Sequence, residues 1–226
     1  METKQIFNNR VALILTLATV FLGIACIFLE VKTGEHGVIL LALVTLGTGF
    51  DFSLSIMGNY IKSSRIILFC TKISFSFLNF GVVFTAMAAA YVIREFSGSS
   101  LSAEMVFNSH IFLAVSLLTG APFFFAKYRE TGEDGGVLYT LERKDRFTYF
   151  AFFVRRIILA CSLIMALIVV FEGLKTDFAF WSLLFGGLFI ATVPLHILHK
   201  HLLSMTVEFL TLLILFYGTC KVYLFN

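Results

Sequence analysis

The sequence predicts an all-α integral membrane protein: a bundle of about seven transmembrane helices, with the N-terminus in the cytoplasm and the C-terminus outside. Three observations predict it. Hydrophobic residues make up 59% of the 226 and charged residues only 14%, against roughly 45–50% and about 25% in a soluble domain. The apolar residues gather into runs of about 19–25, each able at about 1.5 Å per residue to cross a hydrocarbon core of about 30 Å. The basic residues fall mostly in alternate connections between those runs. A membrane barrel would instead show short alternating segments, so helices are expected.

Taken in order, a short polar start with Lys4 and Arg10 precedes the first span, 11–29. Gly23-Ile24-Ala25-Cys26 faintly resembles a lipoprotein cleavage site, but Leu is missing at the usual position and apolar Ile27-Phe28-Leu29 follow. The run is also long for a cleaved signal core, and a retained helix is expected. The second span is 37–57, interrupted by Asp51. A basic connection, 58–72, carries Lys62, Arg65 and Lys72 and no acid; its apolar piece 66–70 is too short to cross and is expected at the interface. The remaining spans are 73–93, 105–126, 147–171, 178–198 (with Pro194 near its end) and 202–224.

Orientation follows from the cations. One set of connections holds Lys4, Arg10, Lys62, Arg65, Lys72, Lys127, Arg129, Arg143, Lys144, Arg146, Arg155, Arg156 and Lys200; the other holds Lys32, Arg94, Lys175 and Lys221. Thirteen against four places the first set in the cytoplasm. Seven spans are required for this alternation. Fusing the last two into a re-entrant hairpin would leave six and a cytoplasmic C-terminus.

The longest polar interval, the cytoplasmic loop 127–146, reads in two ways. Residues 137–142 alternate as a strand would, with 147–150 as the return strand. Alternatively Asp145 caps a helix that starts at Arg146 and enters the membrane, the preferred reading. Arg143, Lys144 and Arg146 are candidates for contact with anionic lipid or a protein partner. The alternative is that the cluster is a topology determinant with no partner.

Chemistry is sought among polar groups at membrane depth, where each is costly. Asp51 and Glu208 both fall about six residues inside the cytoplasmic ends of their spans, roughly 9 Å deep. Arg155 and Arg156 fall near the same level. Together they predict a charged layer, either an ion or solute path or a set of salt bridges with one Arg reaching the head groups. His196 and His199 share a helix face and are weak metal candidates, with Glu208, Asp51 or His201 as a third ligand. No HExxH motif supports them, and interfacial histidines are the plainer reading. His110 stands at the opposite end of its span, too far away to share a haem iron with them.

Cys26, Cys70, Cys161 and Cys220 form no CxxC pair and read as small packed hydrophobes. Asn79 and Asn108 are expected to hydrogen-bond between helices, and Ala86/Ala90 and Gly187/Ala191 to mark close helix contacts. The two halves of the chain show no repeat. No phosphate loop, GxSxG motif or triad is present, no cofactor is implied, and the clustered charge gives no footing for nucleic acid. These features favour a small transporter or channel in a cell membrane (the inner membrane if bacterial). The alternative is a non-catalytic membrane interaction protein: an assembly subunit, a regulator or an immunity-type protein.

Overall fold

A computed structural model describes residues 2–61, 63–97, 120, 122–130, 139–142, 146–197 and 201–224. Its elements are α1 (Glu2–Thr33), α2 (His36–Tyr60), α3 (Ser64–Ser97), β1 (Tyr128–Glu130), β2 (Tyr139–Leu141), α4 (Arg146–Gly173), α5 (Ala179–Ile197) and α6 (His201–Leu224). Among the described residues, four helical stretches are long and apolar enough to cross a membrane: Asn9–Thr33, Gly37–Gly58, Arg146–Gly173 and Leu202–Leu224. The run 105–126 lies mostly outside the described residues, with Asn108 and His110.

Helices joined by a short connection (α1 to α2, α2 to α3, α4 to α5 and α5 to α6) run antiparallel. α1 lies against α2 and α6, α2 against α3, α3 against α4 and α6, and α5 against both α4 and α6. The turn after α1 has a local cause. Gly34 takes a left-handed φ of 67°, and its N–H donates to the Glu30 carbonyl at 2.7 Å, closing the helix as an αL cap. The α4–α5 turn is closed by Thr176, whose hydroxyl donates to the Gly173 carbonyl at 2.8 Å and accepts from the Phe178 N–H at 3.1 Å.

Three boundaries differ from expectation. α1 is helical from Glu2, so the polar start continues the first apolar run rather than leading loosely into it. Much of the basic connection is also helical. α3 begins at Ser64 and continues to Ser97, 34 residues, about 51 Å at the α-helical rise. Charge counting locates a connection but cannot detect a helix that runs on past the hydrocarbon. The third difference is in the loop. β2 does lie in the alternating stretch, but it pairs antiparallel with β1, Tyr128 opposite Leu141 and Glu130 opposite Tyr139. The suggested return strand, 147–150, instead belongs to α4, which begins at Arg146.

The main core sits at the end of the bundle where α1, α3 and α4 finish. Residues 85–93 of α3 are buried on every side, as expected of a central helix. Ala86 and Ala90 lie inside this stretch. Gly187 is different: it is exposed, and nothing described comes within 4 Å of its Cβ position. Close approach elsewhere depends on missing Cβ atoms. A Cβ at Gly37 would stand 2.6 Å from Tyr91 Cβ, and one at Gly218 would stand 2.6 Å from Phe178 Cζ. Threonine hydroxyls in this core bond within their own helices, as in Thr45 to the Leu41 carbonyl at 2.6 Å and Thr219 to the Leu215 carbonyl at 2.7 Å. They are satisfied without linking helices.

Candidate functional site

The other end of the bundle holds the charges. Asp51 lies nine residues before the end of α2, Arg155 nine residues after the start of α4, and Glu208 seven residues after the start of α6. That is about 10–14 Å from the helix ends. The antiparallel path of the chain brings all three to one level.

Asp51 is tied to α3. The Ser74 hydroxyl donates to its Oδ1, a bond between helices where most hydroxyls bond within one. Ser74 is buried, and Asp51 is partly buried. Glu208 is held within its own helix, with Ser204 Oγ donating to Oε1 at 2.8 Å. Arg155 is partly buried and lies within electrostatic reach of Asp51 and Glu208, and of Tyr128 on β1. Its guanidinium carbon stands 5.9 Å from the centroid of the Phe75 ring, a distance at which the ring face attracts a cation. Arg156 does not join this group; it is exposed on the outer face of α4.

A small cavity adjoins Asp51 between α2 and α3. Thr48, Ser74 and Gly81 help to line it, and its volume is about 20 Å³. One water molecule needs about 10–15 Å³ measured this way, so the space suits a single water near the carboxylate. An organic solute would not fit.

The β1–β2 pair lies against this end through Tyr128. Tyr128 packs against Phe75 with ring centroids 5.7 Å apart, and its hydroxyl donates to the Phe123 carbonyl at 2.8 Å. Burial pushes the Tyr128 phenol above its usual range, and the Arg155 guanidinium pulls it back only in part. Phe123, Ala126 and Ala151 form a small buried cluster beneath it. Sequence reasoning did not single out Ser74, Ser204, Phe75 or Tyr128 for this site. Ser204 was discoverable, since it stands four residues before Glu208 and so on the same face. Nothing in the sequence pairs Ser74 with Asp51.

The other sequence candidates are less informative here. Arg146 is exposed at the start of α4, whereas Arg143 and Lys144 lie outside the described residues. So do His199 and the side chains of His196 and Asn79. Among the described residues, no three His, Cys, Asp or Glu side chains converge as a metal site requires. The four cysteines are free thiols, with Cys26 fully buried.

No protein-family model matches this chain, and no curated protein is similar to it. Class therefore rests on the chain's own features: it is a helical protein with several candidate membrane spans.

Proposed function

We propose that this chain is a multi-pass cell-membrane protein of about seven spans, cytoplasmic at its N-terminus, that acts as a small transporter or channel for a proton or small cation. Asp51, Arg155 and Glu208 are its charged layer, in the cytoplasmic half of the bundle. The observation that supports this most is the water-sized cavity beside the Asp51 carboxylate. A carboxylate at membrane depth next to a water site can exchange a proton, and an intramembrane ionisable group marks an ion or proton path more often than chance.

The test is flux. Proteoliposomes carrying the full chain and an internal pH dye should dissipate an imposed proton gradient faster than empty liposomes. Asp51→Asn and Glu208→Gln should remain folded and lose that flux. A folded Asp51→Asn variant with full flux would remove the layer from the transport path.

A second reading has its own support. Each carboxylate accepts from a serine, the arrangement a purely structural layer requires. On that reading the protein is a non-catalytic interaction subunit, with Arg143, Lys144 and Arg146 meeting anionic lipid or a protein partner. It predicts no flux in wild-type proteoliposomes, and recovery of thermal stability when Asp51 and Arg155 are neutralised together rather than singly.

A further inference from the structure

We propose that Lys72 and the rings around it form a site for the headgroup of an anionic phospholipid. The Lys72 ammonium lies 5.8 Å from the centroid of the Phe124 ring and 5.9 Å from that of Tyr128. Among the described residues, no carboxylate lies within ion-pair distance of it. Ring faces attract the cation but do not use up its three N–H donors, which can still take an oxygen acceptor. A phosphate oxygen supplies that acceptor.

The surroundings suit a lipid better than a free anion. Phe69 meets Phe124 edge-on at 6.1 Å, and Phe124 meets Phe125 at 5.8 Å. Phe69 is 54% exposed and Phe125 74%. An apolar strip thus runs outward from the cation, where acyl chains would lie. Arg65, Phe69 and Lys72 stand four and then three residues apart on α3, so they share one helix face. Arg65 is exposed about two turns nearer the start of α3, and so adds a second cation toward the headgroup. The pattern of cations beside exposed aromatic rings is that of a membrane interface recognising negative lipid. The proposal uses none of residues 143–146 and does not rest on the transport reading.

The experiment measures lipid retention. The purified full chain in detergent is mixed with phosphatidylglycerol or phosphatidylcholine, and bound lipid is counted by native mass spectrometry after a fixed wash. Phosphatidylglycerol should be retained in preference. Lys72→Gln should weaken its retention about fivefold, the effect of one basic residue near an anionic surface. Phe124→Leu, which keeps the charge, should weaken it about two- to fivefold. If Lys72→Gln does not fold, Arg65→Gln provides the same test at an exposed position. Equal retention of the two lipids overturns the site, as does unchanged retention in the folded variants. Displacement of the bound lipid by millimolar inorganic phosphate would show a site for a free anion and overturn the lipid assignment.

Discussion

The two ends of this bundle are built differently. At one end, residues 85–93 of α3 are buried all round, Phe96 stacks on Phe178 at 4.8 Å, and Gly218 lets Phe178 approach α6 closely. At the other end, an aspartate, an arginine and a glutamate share a level, a cavity remains beside the aspartate, and a two-stranded hairpin sits nearby. The contrast separates stability from chemistry. Lipid is as apolar as the side chains, so helices in a membrane associate through packing rather than through escape from water. The close-packed end should therefore carry most of the stability. At the charged end Asp51 and Glu208 each accept a hydrogen bond from a serine, and one of the two, Ser74, lines the cavity.

The largest test of that division is Phe178→Ala, at a side chain only 1% exposed. It should cost about 3 kcal/mol, the low end for a buried Phe because lipid removes much of the transfer contribution. Thermal unfolding in detergent should report it as a clear drop in midpoint. A loss no greater than that of Ser74→Ala would erase the distinction between the ends.

Next in size is Arg155→Gln, expected to cost about 2 kcal/mol because it leaves the Asp51 and Glu208 carboxylates without their cation, less than a fully buried pair because both carboxylates are only partly buried. Its neighbour sharpens the comparison: Arg156→Gln, at an exposed site, should stay within about 0.5 kcal/mol. Equal losses in the two variants would mean that Arg155 has no special place in the layer.

Gly218→Ala should follow at about 1 kcal/mol, because overpacking against the Phe178 ring slightly outweighs the helix-forming gain of alanine. Combining it with Phe178→Leu, which vacates the ring tip, should recover part of the loss. Absence of recovery would place the clash elsewhere.

Apart from the Arg156→Gln control, Ser74→Ala is the smallest change in stability, about 0.6 kcal/mol by the average of hydrogen bonds between membrane helices. Its effect on function should exceed its effect on stability, because it frees the Asp51 carboxylate toward the adjoining cavity. A flux in proteoliposomes identical to wild type would assign the bond a structural role alone.

The legible features were those written into neighbouring residues. Apolar runs showed that the chain is helical and membrane-like, because the length needed to cross hydrocarbon is a local property. Gly34 stands just past the end of α1, where the backbone needs a positive φ. The positions of Asp51 and Glu208 along their helices could be counted from the ends of the apolar runs, and that count is local to each run.

Choices between residues that are locally equivalent required the tertiary structure. Arg155 and Arg156 are adjacent in sequence but about 100° apart around a helix, and only the packing of α4 against α3 turns the first toward the carboxylates and leaves the second outside. Period-two alternation marked the stretch that contains β2 but could not name its partner, since pairing joins backbone groups distant along the chain. That partner proved to be Tyr128–Glu130, which also brings the Tyr128 ring onto Phe75 and beside Lys72. The bond from Ser74 to Asp51 arises in the same way. It depends on the register of α3 against α2, which side chains set collectively along the whole interface and which no local pattern contains.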